Sequence, residues 1–391
     1  GLITNTGGPA VIATDILVGA GLNIPPLSEK TEALLKETLF PEASVNNPVD
    51  VLATGNAAHY RVCMDAMNAD DNYDALYINF VTPFFVDTDS IAKEIAAVNQ
   101  QALKPMVCNL MTDKNQWTET VRILKEGGVP SFSLPGEAAR AMTALVRYSA
   151  IRARDIGQPE TFEDVDRPLA QAIIDKAAAA GGSFLPAEDV YQILEAYKIP
   201  TAGWRMAASA EAATAAAEEI GFPVVVKADA AAIVHKSDMG GVAVNLADSQ
   251  SVEAAVNDMQ NRFDAPDLKF FVQKYVAGGM EVILGAKAEP GLGHLIMFGM
   301  GGIYVEVLKD VVFNLTPITR FEAEEMLDTI RLAPLLKGVR GQKGVLRTGI
   351  VEVIQRLSQL VSDLPAIQEL DLNPTLAFEN NVVVVDARIG L

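Results

Sequence analysis

Histidine is scarce in this 391-residue chain, with three copies, and cysteine scarcer, with two. Cys63 and Cys108 follow no metal-ligand spacing, and two cysteines do not make a disulfide framework. A reducing compartment such as the cytoplasm fits that usage. No apolar run reaches the length of a membrane span, and no signal peptide is visible. Basic residues are also in deficit: 31 Lys and Arg stand against 50 Asp and Glu, for a net charge of −19. Both halves share the deficit, with 10 basic and 17 acidic residues in 1–150 and 21 and 33 in the remainder. Such a surface repels nucleic acid and anionic membranes, so neither is an expected partner. An anionic substrate must therefore be held by local basic residues and backbone amides.

What is present is ordinary globular composition, half hydrophobic and about a fifth charged, in a chain long enough for two or three cores. The opening stretch "GLITNTGGPAVIATDILVGAGL" reads as a strand end, a glycine turn and a helix, with no leader and no initiator Met. It reads as the start of a fragment or a processed subunit. Short apolar runs "ALYINFV" and "PMVCNLM" then alternate with helical stretches up to about residue 150. This alternation predicts a parallel sheet covered by helices, Rossmann-like or flavodoxin-like. The polar, acidic, proline-bearing stretch within 151–168 reads as a linker. A second domain follows over 169–391. In it "SAEAATAAAEEIG" reads as a helix capped by Ser209 and closed by Gly221, and "PVVVKADA" as a buried strand.

Lys227 ends that Val-rich run. A lysine in a buried strand costs several kcal/mol unless an anion pairs with it, or unless its stem lifts the charge into water. The loop "HKSDMGGV" follows, with His235 and Lys236 at its centre. Gly240 and Gly241 can turn amides towards a phosphate, though a plain glycine turn has the same composition. "FFVQKYVAGGMEVILGAK" reads as two strands about a glycine turn. Gln273 to Val276 end the first and Glu281 opens the second, an arrangement that suits a purine edge and a ribose but also a plain hairpin. "FGMGGIYVEVLKD" lacks the dinucleotide fingerprint and reads as glycines before a strand carrying Glu306 and Asp310. In "ELDLNP", Asp371 and Asn373 alternate and so share a strand face, with Asp386 expected on the next strand. Such oxygen ligands suit a nucleotide-bound Mg²⁺.

In this order and spacing, "VVVKADAAAIVHKSDMGGV", "GMGGIYVEVLKD", "ELDLNP" and "VDAR" resemble the ATP-grasp part of the NDP-forming (ADP-forming) acyl-CoA synthetases, relatives of succinyl-CoA synthetase. "TNTGGPAVIATD", "NNPVD" and "GVPSFSLPGEAARAMTALVRY" resemble the last α/β domain of that family's CoA-ligase portion. The resemblance implies a flavodoxin-like domain followed by an ATP-grasp fold of two subdomains. It implies ATP/ADP and Mg²⁺ as cofactors, and an acid–thiol ligation in which phosphate travels on histidine. His235 would be the phosphoryl carrier. Lys227 and Lys236 would meet nucleotide phosphates, Gln273, Tyr275 and Val276 the adenine, and Glu281 the ribose. Asn373, Asp386 and, less directly, Asp371 would hold the metal. Thr4, Asn5, Thr6, Gly7 and Gly8 would form a phosphate loop at a helix start, facing a phosphohistidine. That carrier histidine and the CoA-binding domain have no counterpart here, so they belong to the same polypeptide or to a partner subunit, in an oligomer. His59 and His294 match no catalytic motif and read as structural, and the basic stretch "RGQKGVLRTG" has no assignment. The alternative is a synthetase-like sensing region of a protein lysine acetyltransferase.

Overall fold

The structure is a computed structural model and describes residues 1–113, 115–230, 240–302, 308–339, 341 and 343–391. The chain divides into two compact units, Gly1–Asp155 and Ile156–Leu391.

In the first unit the apolar runs form one sheet. Its spatial order is β2 (Ser44–Val45), β3 (Val49–Asp50), β1 (Leu2–Thr4), β4 (Leu76–Val81), β5 (Met106–Met111) and β6 (Ser131–Phe132). All neighbours are parallel except β2 and β3. Parallel strands are covered on both faces, which is why β4 and β5 are buried and nearly continuously apolar. Helices Ala57–Asn68, Thr88–Gln101 and Thr118–Glu126 cover one face through Met64, Ile95 and Leu124. Helices Gly7–Gly19 and Pro135–Ala153 cover the other through Ala13, Leu17 and Met142. Setting the edge strand β2 aside, the strand order is the flavodoxin one, and it reverses direction between β1 and β4.

The second unit holds two antiparallel sheets. The smaller runs β7 (Trp204–Ala207), β10 (Lys269–Lys274), β8 (Val224–Asp229), β9 (Val242–Leu246). Helices Ala210–Ile220 and Ser249–Arg262 pack against it. The Ser209 hydroxyl accepts from the Ala212 N–H, and Gly221 ends the first of these helices at φ +85°. The larger sheet runs β13 (Val311–Leu315), β12 (Gly293–Met300), β11 (Met280–Glu289), β14 (Glu369–Ala377), β15 (Val382–Val384), with β16 (Ala387–Gly390) also on β14. Its inner face packs on helices Ala187–Ala196, Arg320–Thr329 and Arg347–Asp363.

The end of the stretch read as a linker packs on the second unit: the Phe162 N–H donates to Gln359 Oε1 at 2.8 Å, Arg356 bonds Asp164 at 2.9 Å, and helix Arg167–Ala180 starts inside it. Two other readings need correction. The strands about Gly278 and Gly279 are not a plain hairpin, because β10 and β11 lie in different sheets. Asp310 is not on a strand: its carboxylate accepts the backbone N–H groups of Arg331 and Leu332, while Glu306 lies outside the described residues.

Candidate functional site

Lys227 is the fourth residue of β8, and its side chain is only 15% exposed. Its ammonium does find an anion. Nζ lies 2.7 Å from Asp386 Oδ1 and 2.9 Å from the Val385 carbonyl, with the Phe271 ring centroid 5.9 Å away. Asp386 sits between β15 and β16, so this ion pair ties the two sheets of the second unit together. The bend that places it is held by the Asn373 N–H, which donates to the Asp386 carbonyl at 3.1 Å.

Along β14 the pattern alternates as its sequence requires. Leu370 and Leu372 enter the core, while Glu369, Asp371 and Asn373 are exposed on the other face. Asp371 faces Gly285 on one side and Arg388 on the other. The enclosing protein first, and then the carboxylates of Asp386 and Glu369, push its carboxyl up to about 6, against the pull of Arg388. Water reaching this exposed side chain screens part of that effect. Among the described residues, no three His, Cys, Asp or Glu side chains converge into a ready-made metal site.

Beyond β10 the chain crosses from one sheet to the other. Gln273 is buried and donates to the Tyr191 hydroxyl at 3.0 Å. The Tyr275 N–H goes to the Pro223 carbonyl, whereas the Val276 N–H donates to no backbone carbonyl among the described residues. Glu281 is the second residue of β11, exposed, against Gly301 and Gly302. A Cβ at Gly302 would stand 2.8 Å from Glu281 Oε2, which gives the glycines before the undescribed 303–307 stretch a packing reason. His235 and Lys236 lie outside the described residues. The feet of their loop are in place: it leaves β8 after Asp229 and returns at Gly240, φ +70°, and Gly241, whose carbonyl accepts from Ala228.

In the first unit, "TNTGG" lies where the strand order reverses, the usual ligand crevice of such sheets. The Thr4 hydroxyl accepts from the Thr6 N–H and from Asn79 Nδ2, and donates to the Thr6 carbonyl. The Asn5 carboxamide clamps both backbone groups of Val81. Gly7 and Gly8 are exposed, with open space where side chains would be. Pro9 carries no N–H, so the helix start offers fewer free donors than usual. Sequence reading missed Asn79 and Asn109, buried in register on β4 and β5, each with an unpartnered Oδ1 among the described residues. The signal was one asparagine in each apolar run.

Residues 176–391 match a family profile described as an ATP-grasp domain. The chain is 40% identical over 227 residues to the β subunit of ADP-forming acetate–CoA ligase I of Pyrococcus furiosus, covering 57% of this chain and 97% of that subunit. The chain belongs to the ATP-grasp-containing ADP-forming acetate–CoA ligase family. It is 37% identical over its whole length to ADP-forming acetate–CoA ligase I of Archaeoglobus fulgidus, and 35% identical to the ADP-forming 4-hydroxybutyrate–CoA ligase of Nitrosopumilus maritimus. It spans 56% of the length of each of these two. The family thus includes single chains and separate subunits, since an α subunit of the Pyrococcus furiosus ligase II also matches, at 30% over 154 residues.

Among solved structures, a Ca. Korarchaeum cryptofilum acetyl-coenzyme A synthetase in complex with coenzyme A and Ca-AMPCP aligns at a TM-score of 0.54 and 34% identity, covering 57% of this chain and 99% of that one. Another of that enzyme, with coenzyme A and Mg-AMPPCP and its phosphohistidine segment pointing towards the nucleotide binding site, aligns at 0.52, also at 34% identity and the same coverage. The comparisons give no support to the acetyltransferase alternative.

The remaining residues singled out in this family member make local contacts. The His59 ring closes a capping box with Asn56, and His294 Nε2 meets the Ile367 carbonyl at 2.8 Å. In the basic stretch, Arg347 pairs with Asp328 and Lys343 with Glu379, while Arg340 and Gln342 lie outside the described residues. No helix among the described residues is long and apolar enough to cross a membrane.

Proposed function

We propose that this chain is the nucleotide-handling portion of an ADP-forming acyl-CoA synthetase, catalysing acid + CoA + ATP ⇌ acyl-CoA + ADP + phosphate together with CoA-binding and phosphohistidine domains of the same polypeptide or a partner subunit. The observation that carries this reading is Lys227, a largely buried ammonium at the seam of two sheets, beside Asp386 and the exposed face of Asp371 and Asn373. Relatives bind Mg-AMPPCP with coenzyme A.

In this reading the adenine edge meets the Val276 N–H, which has no backbone acceptor among the described residues, Glu281 accepts from ribose hydroxyls, and Lys227 pairs with the phosphates. The residues fit a divalent cation: burial and then the neighbouring carboxylates raise the Asp371 carboxyl, a cation relieves that repulsion, and two carboxylates plus the Asn373 carboxamide leave positions for phosphates and water. Bound Mg²⁺ would neutralise charge on the phosphates. His235 is the acceptor: a ring nitrogen lone pair forms the N–P bond as the bond from the γ-phosphorus to the ADP oxygen breaks. Lys236, Gly240 and Gly241 flank that exchange. Thr4 to Gly8 present the Gly7 and Gly8 amides to the phosphohistidine of the companion domain. Two buried free cysteines suit a reducing cytoplasm.

Calorimetric titration of the chain with Mg-ATP tests the nucleotide reading. Saturable binding that weakens at least tenfold in Lys227→Met supports it, and no binding by the unaltered chain contradicts it.

A further inference from the structure

We propose that a cavity in the second unit, lined by none of the residues in the nucleotide reading and independent of it, binds a free α-amino acid. Such a ligand is a small zwitterion with its carboxylate and ammonium on one carbon.

Helix Arg347–Asp363 supplies one side. Thr348, Val351, Glu352 and Gln355 recur every three or four residues and so form a single stripe. Arg320, at the start of helix Arg320–Thr329, completes the lining with Glu160 and Phe162, from the segment held by Arg356. The cavity measures about 250 Å³. Pockets for drug-sized ligands run to about 300–1,000 Å³, so the occupant is small.

Gln355 gives the cavity its ligand signal. It is 4% exposed, yet its Nε2 has no acceptor among the described residues. Leaving a buried amide unpaired costs about 1–3 kcal/mol. One turn on, Gln359 is satisfied, with both ends of its carboxamide on the backbone of Phe162. Two further donors line the same cavity. Arg320 gives its Nε to Glu324, which leaves its terminal nitrogens to meet a carboxylate, and Thr348 adds a hydroxyl. Acceptors lie among these donors. Glu352 stands one turn from both Thr348 and Gln355 and accepts from Arg356 Nε through Oε1, leaving Oε2. Glu160 adds a second carboxylate. The Phe162 ring centroid already holds the Arg356 guanidinium at 4.0 Å, and such a ring attracts an ammonium too.

This mixture disfavours simpler ligands. A bare anion meets two carboxylates. A bare cation meets Arg320 and leaves Gln355 Nε2 without an acceptor. An apolar molecule also leaves it unpaired and strips water from charged groups. An α-amino acid answers both sets. Its carboxylate accepts from Gln355, Arg320 and Thr348, its ammonium donates to Glu352 and Glu160, and its side chain lies against Val351.

The test is thermal melting and calorimetric titration of the full chain with each of the common L-amino acids, beside acetate and ethylamine as carriers of one charge only. At least one amino acid is expected to bind saturably and raise the melting temperature, while acetate and ethylamine at the same concentration do neither. Gln355→Leu and Arg320→Met should each bind that amino acid about tenfold or more weakly, the loss of one hydrogen bond to a charged group. Without amino acid, Gln355→Leu should melt no lower than the unaltered chain, because the change removes an unpaired polar group. The inference is overturned by no binding of any amino acid, by undiminished binding in either variant, or by acetate or ethylamine matching the amino acid. It is equally overturned if unliganded Gln355→Leu melts lower, since the amide then has a partner already.

Discussion

The Glu281 carboxylate reaches to 2.8 Å from the point where Gly302 would carry a Cβ, and Gly302 holds φ +60°. The positive φ favours glycine, and a Cβ there would require the end of the Glu281 side chain to shift. Gly302→Ala places a side chain in the left-handed region, at about 1 kcal/mol, and pushes Glu281 aside. Nucleotide affinity falls about tenfold, roughly 1.4 kcal/mol, while thermal stability drops only slightly. Titration of the variant with Mg-ATP checks this, and full affinity would remove Glu281 from the ribose.

Asp70 supplies a pH dependence. Burial pushes its carboxyl up, but the Asn72 N–H, the Thr31 hydroxyl and the Ser28 N–H outweigh it and hold the group at about 2, against an ordinary 3.8. The folded form therefore binds fewer protons than the unfolded one near pH 3. The stabilisation is complete above about pH 4 and is lost as pH falls towards 2, about 1 kcal/mol after allowing for nearby solvent. Asp70→Asn should be less stable at pH 7, with the difference closing by pH 2 in thermal melts.

Arg356 holds the segment once read as a linker. It bonds Asp164 and Glu352, and its guanidinium lies 4.0 Å from the Phe162 ring centroid. Arg356→Met keeps the stem but loses the ion pairs and the ring contact, for about 2 kcal/mol. Limited proteolysis near residues 156–165 should then be faster than in the unaltered chain.

Elements with their own local signal were legible in the sequence. "VVVK" could only be a buried strand, and observed β8 runs Val224–Asp229. The two-residue period of "ELDLNP" put Asp371 and Asn373 on one face, as found. Non-local pairings were not legible. The glycines after β10 look like a hairpin turn, because sequence does not record that β7 and β8 already flank that strand. Asp310 looks like a strand residue until Arg331 and Leu332 present their amides to it. Asp164 and Phe162 look solvated because the arginine that holds them lies about 190 positions away. The same blindness hid the partner of Lys227: the sequence left an anion or an escape to water open, and only the fold identifies Asp386.

Phosphoryl transfer onto the loop between β8 and β9 is the step on which the proposed function turns. The most direct measurement incubates the chain with γ-labelled ATP and Mg²⁺, with and without His235→Ala, and follows protein-bound label. An alkali-stable, acid-labile label is expected on the unaltered chain and none on the variant. Label of that chemistry surviving in His235→Ala would contradict it.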